Sequence, residues 1–534
     1  MKPTIDNITW DRIWIIFHIS GLSDNSEVYI TDSTGSFKMP LKKNPESPHE
    51  YMLNITNPGN SCMLPVGIYK LVSSADQVHP IQAHLTGSGK ISRFNKQFVY
   101  FHSERSYRVQ FSDKEYLKIK TSDVRLKNLP FSKRVSSALR RTRYDLAKAV
   151  LRSIYNIQYR FYHINASTDT ADPYILLMSD QSEEMGSNMK ALRNALIREG
   201  YKPHFALRSV TTKHYNIFHW IHTLSKIAKA DYIFFDDHSQ TTDWLTIHGA
   251  VITQLWHAGA GFKSTGYSRF GLPASPAPKS GHRQYTYGIA GSKKIRHFFS
   301  EVWGINDENV LPTGMPRLDS YLNSTHREET VKKLIVTYPL IKKQFSRHKK
   351  IILFAPTYRG ENKKNAYYPY DKLDMDALYK YCESTDSIML FKMHPFVTEA
   401  VPIPDTYRDR MQDLTDYPDI NDLFYITDLL ITDYSSNIYE FSLMKKPMLF
   451  YAYDIDEYSK ERGFHRDYRK NVPGKIAETF EDMINALENN DFEYEKVEEY
   501  ISNNFDHIDD HACDRIIDWI IRGNLPQTEV PADN

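Results

Sequence analysis

Four apolar runs in this chain end in residues able to move a proton or hold an anion. Val251-Ile252-Thr253-Gln254-Leu255-Trp256 runs into His257 and the glycine-rich Ala258-Gly259-Ala260-Gly261. Ile351 to Ala355 runs into Pro356-Thr357-Tyr358-Arg359, and Ile388 to Met393 into His394-Pro395. Leu429-Leu430-Ile431 runs into Thr432-Asp433-Tyr434-Ser435-Ser436-Asn437. An imidazole with a pKa of about 6.5 can accept a proton at neutral pH. An arginine can fork onto two phosphate oxygens as lysine cannot. A Ser-Ser pair at a helix start lies beside N–H groups that lack partners, at the positive end of the macrodipole, so phosphate is the natural guest. Each motif alone has a plainer reading. His257 can be a buried core histidine, His394-Pro395 a strand stop, Arg359 a solvated charge, and Asp433 or Ser435 a helix cap.

Together they demand a scaffold that brings strand ends to one place. From Pro173 onward strands and helices alternate. Strands are expected at Tyr174 to Met178, Phe205 to Leu207, Tyr232 to Phe235 and Val251 to Trp256, and in a second set at Ile351 to Phe354, Ile388 to Lys392, Leu429 to Thr432 and Pro447 to Tyr451. Continuous apolar strands alternating with helices mean parallel sheets covered on both faces. Ligands of such sheets bind outside the carboxyl ends of the strands. Two Rossmann-like domains facing across a crevice are therefore expected over residues 169–325 and 326–523, followed by a polar tail, 524–534.

The first 125 residues read differently. Short β-type runs such as Arg12 to Ile19, Gly67 to Val72 and Tyr107 to Phe111, separated by turn clusters such as Asn57-Pro58-Gly59-Asn60, predict an antiparallel, immunoglobulin-like sandwich. Its role is not legible; a packing or spacer domain and a polymer-binding module are the alternatives. Residues 126–168 read as a basic amphipathic helical linker. Arg140, Arg141, Arg143, Lys148 and Arg152 flank an apolar stripe of Leu139, Leu146, Val150, Leu151, Ile154, Ile157 and Phe161. Such a helix can lie on an anionic membrane, each basic residue adding about 1 kcal/mol, or pack its stripe on the protein.

Composition narrows the class. The chain has 534 residues and a formal net charge of +1, which argues against bulk nucleic-acid binding. Its three cysteines, Cys62, Cys382 and Cys513, are too scattered for a disulfide framework or a thiolate metal site. No run of signal-peptide character opens the sequence and no apolar run of about twenty residues occurs, so a cytoplasmic location is expected. Asp236-Asp237-His238 suggests a metal cluster, but without further spaced ligands hydrogen bonding explains it more economically, and no metal or other cofactor is expected.

The ordered motifs also carry a resemblance. Trp256-His257-Ala258 with Phe262-Lys263 and Gly266-Tyr267-Ser268, Thr313-Gly314-Met315-Pro316-Arg317-Leu318-Asp319, Ala355-Pro356-Thr357-Tyr358-Arg359, His394-Pro395 and Ile431-Thr432-Asp433-Tyr434-Ser435-Ser436 stand in the order seen in the CDP-glycerol glycerophosphotransferases. Lys446-Pro447-Met448-Leu449-Phe450-Tyr451, Tyr453-Asp454 and Arg462-Gly463-Phe464 look similar too. These enzymes prime and polymerise teichoic acids and related capsule polymers. The resemblance spans roughly residues 172–475 and implies the glycosyltransferase-B arrangement.

It also implies roles. His257 would be the base and His394 a donor to phosphate, with Ser435 and Ser436 holding the pyrophosphate. Asp433, Thr357 and Arg359 would complete the donor site, and Glu440 would accept from ribose hydroxyls. Arg317 and Asp319 would touch the donor or bridge the lobes, and Lys263 would meet an acceptor phosphate. The implied donor is CDP-glycerol or CDP-ribitol. The acceptor would be lipid-linked polymer at the cytoplasmic face of an anionic membrane, with the enzyme held there peripherally; a homo-oligomer is left open. The loop reads Trp-His-Ala-Gly-Ala-Gly-Phe-Lys rather than the Trp-His-Gly-Thr-Pro type, leaving the donor polyol open, as primase versus polymerase is. A nucleotide-sugar glycosyltransferase and a non-catalytic polymer-binding protein are the competing classes.

Overall fold

The computed structural model describes residues 3–526 except 24, 45–46, 75, 84–89, 101–104, 114–115, 126–130, 165–171, 211, 274 and 361–362; the side chains of 76–79, 83 and 131–143 are also undescribed. Residues 527–534, most of the expected polar tail, lie outside it.

Two six-stranded sheets, parallel throughout, form the body of the chain. The first runs His204–Leu207, Ile175–Ser179, Tyr232–Phe235, Val251–Gln254, Tyr287–Ile289, Val310–Leu311. The second runs Met411–Asp413, Ile388–Phe391, Ile351–Phe354, Leu429–Thr432, Met448–Tyr451, Lys475–Ala477. Every residue of Ile351–Phe354, Ile388–Phe391, Leu429–Thr432 and Met448–Tyr451 is buried, as expected for strands covered on both faces. Numbered along the chain, the second sheet has the order 3-2-1-4-5-6. Its topological switch point lies between Ile351–Phe354 and Leu429–Thr432, the two strands that deliver Thr357 and Ser435.

The lobes share a core. One apolar cluster contains Ile175 and Leu177 of the first sheet, Leu353 and Leu430 of the second, and Ile516, Ile517 and Ile520 near the C-terminus. The C-terminal residues expected to complete the second domain thus pack across to the first. Asp319 accepts from the amides of Ala512 and Cys513, both at 2.8 Å, and Tyr232 Oη donates to the Ile521 carbonyl at 3.0 Å.

The N-terminal region forms a five-stranded and a seven-stranded sheet around one core that includes Ile8, Phe17, Ile30, Leu71, Val109 and Ile119. Pairing is antiparallel except where Thr4–Asp11 meets Gln82–Ala83. Twelve strands in this order exceed the seven to nine of an immunoglobulin domain, so the coarser description, two largely antiparallel sheets, is the one the strands support.

These sheets are fastened to the first lobe. Glu301, 6% exposed, accepts from Trp14 Nε1 at 2.7 Å and pairs with Arg12 at 2.9 Å. Phe270, from the loop that follows His257, enters the N-terminal core and stacks on Phe98 at 5.6 Å.

The basic linker is one helix, Phe131–Ile164. It packs Leu151 and Tyr155 against the first lobe, where Tyr155 Oη accepts from His248 N at 2.8 Å and Arg152 Nε donates to the Trp244 carbonyl at 2.8 Å. Among the described residues no helix is long and apolar enough to cross a membrane.

Candidate active site

The lobes enclose a cleft of about 1770 Å³ lined by His257, Lys263, Thr357, His394, Ser435 and Ser436. All four strand-end motifs reach this one cavity.

His257 sits at the end of a strained turn. Trp256 adopts φ +54°, a conformation unfavourable for a bulky residue. It is pinned from both sides: its amide donates to Gln254 Oε1 at 2.9 Å and its carbonyl accepts from Asn188 Nδ2 at 2.7 Å. The turn aims the imidazole into the cleft, stacked on the Trp256 ring with centroids 4.5 Å apart. Arg317 Nη1 holds the His257 carbonyl at 2.8 Å, and Asp237 Oδ2 lies 3.7 Å from Nδ1, leaving Nε2 to face the cavity. The side chain is 59% exposed, but the exposure is to a cleft whose walls displace bulk water. That desolvation lowers the pKa; Asp237 opposes the effect and Arg317 adds to it. The ring is therefore neutral at pH 7, and Asp237 is placed to stabilise the cation formed when it takes a proton.

His394 enters from the other lobe. Its Nδ1 accepts the Phe396 amide at 3.2 Å, so Nε2 carries the proton. Burial, then Lys263 and Lys392, depress its pKa to about 4. It is a neutral hydrogen-bond donor across the physiological range. That Lys263 of the first lobe bears on His394 of the second shows how closely the walls approach. Gly259 makes the approach feasible, since a Cβ there would stand 2.4 Å from the Tyr439 ring of the facing lobe.

Lys263 has no carboxylate at ion-pair distance among the described residues and sits 5.7 Å from the centre of the Tyr458 ring. Burial, with Arg462 and Arg359 adding and Asp433 opposing, lowers its pKa to about 8. The ammonium is charged below that pH and lost above it. The expected result is a kcat/KM that declines as pH rises through about 8. A pH–rate profile of Lys263→Arg should lack this alkaline limb, because guanidinium stays charged; a limb unchanged in the variant would assign it to another group.

The predicted donor ligands divide. Thr357 keeps a buried hydroxyl without a partner among the described residues, and its amide donates to Asp433 Oδ1 at 2.7 Å. Ser435 and Ser436 line the cleft, with Ser435 Oγ accepting the Asn437 amide at 3.2 Å. The helix they lead into, Ile438–Ser442, has only five residues, so few aligned peptides contribute a dipole and the hydroxyls become the main anion donors.

Arg359 does not offer its fork to the cleft. It is 8% exposed and pairs with Asp454 at 2.6 and 2.8 Å and with Asp433 at 3.0 Å, and it donates to the Thr357 carbonyl at 2.6 Å. Burial opposes its charge, but the two carboxylates more than offset this and raise its pKa. It therefore fixes the turn that carries Thr357, and Asp433 is its partner rather than an open ligand. Glu440 is likewise taken: 3% exposed, it accepts Arg317 Nε at 2.8 Å, and Arg317 Nη2 also pairs with it. Arg317 thus ties the second lobe to the backbone of His257. Asp319 caps the C-terminal helix instead of meeting a ligand.

The run Asp236-Asp237-His238 splits three ways. Asp236 is half-buried, and that burial raises its pKa; Asp237 faces His257; His238 Nε2 meets Asp243 at 3.0 Å and Nδ1 meets Tyr285 Oη at 3.2 Å. His238, Asp243 and His282 place ligand atoms within 4.8 Å of one another. The two rings are stacked at 3.8 Å and 10°, so their nitrogen lone pairs run parallel rather than converging. Arg140, Arg141 and Arg143 lie among residues whose side chains are undescribed; Lys148 lies in the described part of the helix.

Residues 160–522 match the family described as CDP-Glycerol:Poly(glycerophosphate) glycerophosphotransferase. The chain belongs to this family. As a glycerophosphotransferase family member it is a transferase related to enzymes of teichoic acid biosynthesis. It is 34% identical over 391 residues to the teichoic acid ribitol-phosphate polymerase TarL of Staphylococcus aureus, covering 72% of this chain and 68% of that one. It is 32% identical over 505 residues to the teichoic acid poly(ribitol-phosphate) polymerase of Bacillus spizizenii, covering 90% and 78%. The solved structure of the wall teichoic acid polymerase TagF superposes with a TM-score of 0.53 at 21% identity, over 73% of this chain and 98% of that one, which supports the two-lobed fold.

Several contributors in this family member have no expected role in the sequence. Asp237, which follows the strand Tyr232–Phe235, stands out there only as part of Asp236-Asp237-His238, and its place beside His257 was readable by the same strand-end logic as His257 itself. Asn188, Gln254 and the pairing of Arg359 with Asp454 left no local signal.

Proposed function

We propose that the protein transfers ribitol phosphate from CDP-ribitol to a terminal hydroxyl of a lipid-linked teichoic acid acceptor, releasing CMP and lengthening the polymer. The observation that carries the reading is the single cleft in which His257 and His394 arrive from opposite lobes beside Thr357, Ser435 and Ser436. The acceptor oxygen attacks the β-phosphorus as His257 Nε2 removes its proton. The phosphoanhydride bond breaks, and CMP departs as the anion. His394 Nε2–H and the hydroxyls of Ser435, Ser436 and Thr357 donate to the non-bridging oxygens, where charge develops. Lys263, charged at neutral pH, comes from the first lobe and lies against Tyr458 of the second, where it can meet a phosphate in the cleft.

Ribitol is favoured over glycerol because the ribitol-phosphate polymerases match over 72% and 90% of this chain, whereas the poly(glycerol phosphate) polymerase of Staphylococcus epidermidis matches over 43%. The test is CMP release from CDP-ribitol and CDP-glycerol with a lipid-linked acceptor, with product length read by mass. Turnover of CDP-ribitol into extended product is expected. Turnover of neither donor would overturn the reading, and turnover of CDP-glycerol alone would reassign the polyol.

Access to such an acceptor favours peripheral membrane contact. Leu146, Val150, Ile157, Phe161 and Ile164, at helical spacing on Phe131–Ile164, are 49–75% exposed, and Lys148 lies beside them. A stripe of this kind suits the headgroup plane of an anionic membrane. The double substitution Ile157→Glu and Phe161→Glu should reduce co-sedimentation with anionic vesicles by roughly tenfold or more, given the apolar burial it forfeits; equal sedimentation would rule this helix out as the contact.

A further inference from the structure

Beside the cleft lies a second cavity of about 800 Å³ between the N-terminal sheets and the catalytic lobes. The two adjoin, and Ser264, Arg269, Leu272, Lys460 and His465 line both. Thr357, His394, Ser435 and Ser436 line only the first, so the second lies away from the groups assigned to the donor.

Its walls carry an excess of positive charge. Lys96 comes from the strand Lys96–Val99, Arg269 from the loop after His257, Lys460 from the helix Ile455–Glu461, and Arg466 from behind. Lys96 Nζ donates to the Arg12 carbonyl at 2.7 Å and lies 4.9 and 5.2 Å from the Trp10 and Phe98 ring centres. Arg269 donates to the carbonyls of Arg462 and Glu461, and its buried Nε has no partner among the described residues. Arg466, 5% exposed, donates to the Ala260 carbonyl and to Asn504 Oδ1, both at 2.8 Å, and its Nε is also without a partner among the described residues. Among the described ion pairs none of these four cations meets a carboxylate.

The acids on the same wall face other groups, two of them arginines that also line this cavity. Asp11 pairs with Arg12 at 2.9 Å and Asp456 with Arg469 at 3.8 Å, while Asp467 caps the helix Tyr468–Asn471. Carbonyl and amide oxygens meet some of the N–H groups of Lys96, Arg269 and Arg466 but do not neutralise their charge. Holding Arg466 out of bulk water, and Lys96 and Arg269 partly out of it, without a carboxylate is costly, and an anion would relieve that cost.

We propose that this cavity is a phosphodiester subsite for the growing acceptor, built jointly by the N-terminal sheets and the catalytic lobes. This rests on the transfer reaction above. With the terminal hydroxyl at His257, phosphates of preceding units lie against Arg269, Lys460 and Lys96. The N-terminal sheets then contribute to acceptor length preference as well as to fastening the catalytic loop.

The test uses the full chain and labelled oligo(ribitol phosphate), as a single unit and as a longer oligomer, with anisotropy as the readout. Anionic phospholipid vesicles form a parallel arm, because a lipid headgroup presents the same phosphodiester chemistry. The longer oligomer should bind more tightly than the single unit. Lys96→Glu should weaken that binding roughly tenfold or more, as expected for losing a contact to a charged group. The KM for CDP-ribitol and vesicle association should each change by less than about twofold, since neither uses this wall. Lys460→Ala, a substitution at an exposed position, provides a second variant should Lys96→Glu fold poorly. Unchanged oligomer affinity in both variants would overturn the proposal, as would an equal rise in donor KM or a loss confined to vesicles. Oligomer binding that depends on Lys96 and Lys460 without any CMP release would uphold the subsite while removing the transfer reaction.

Discussion

Replacing His257 with alanine is expected to lower kcat for CMP release by roughly 10²–10⁴-fold, the usual contribution of a positioned general base. Binding of the CDP-polyol should change little, because the ring faces the attacking hydroxyl rather than the nucleotide. Asp237→Asn should cost less and should shift the acid limb of the pH profile to lower pH. The Asp237 carboxylate, 3.7 Å from Nδ1, favours the protonated imidazole, so its removal lowers the His257 pKa further. Steady-state kinetics of the two variants across pH provide the check. Turnover of His257→Ala within a few fold of the unaltered protein would remove it from the chemistry.

The second large effect is on stability. Arg359→Met should destabilise the fold by about 3–5 kcal/mol, the range for breaking one side of a buried ion pair, because Asp433 and Asp454 are left without their cation. Asp454 is only partly buried, with 22% of its side chain exposed, so water can recover some of that cost. Adding Asp454→Asn to Arg359→Met should restore part of the loss, since one stranded charge is then removed. Urea denaturation of the single and double variants tests this. A midpoint unmoved in Arg359→Met would mean that the guanidinium contributes little to holding the Thr357 turn and is instead free to bind phosphate.

These two residues mark the boundary of what the sequence disclosed. His257 was legible because a continuous apolar run must end somewhere, and in parallel sheets that end faces the crevice. The same reasoning located His394, Thr357 and Ser435. Arg359 looked equally exposed at its strand end, yet its partners lie 74 and 95 positions away and no local spacing announces them. Glu440 failed as a ribose ligand for the same reason: the arginine that occupies it is 123 positions distant, in the other half.

Strand length set a similar limit on the fold. Ile351–Phe354 and Leu429–Thr432 show as buried apolar runs, whereas Val310–Leu311, Met411–Asp413 and Lys475–Ala477 are too short to display a period. In the N-terminal region, alternating runs such as Trp14–Ser20 revealed strands, but their pairing order depends on contacts between remote segments. Largely antiparallel sheets were therefore readable where their topology was not. The spacing along the basic helix predicts one apolar stripe. Leu151 and Tyr155 in fact pack on the lobe, while Val150, Ile157 and Phe161 remain open, because a long helix can present two faces.

The account depends on two imidazoles, one from each lobe, converging on one phosphorus. A crystal structure of the protein with CDP-ribitol bound tests this directly. The β-phosphate should lie within hydrogen-bond reach, about 3 Å, of His394 Nε2, with the space in front of its phosphorus open to His257 Nε2 directly or through one ordered water. A β-phosphate seated on one lobe with the other histidine facing away from it would contradict the account.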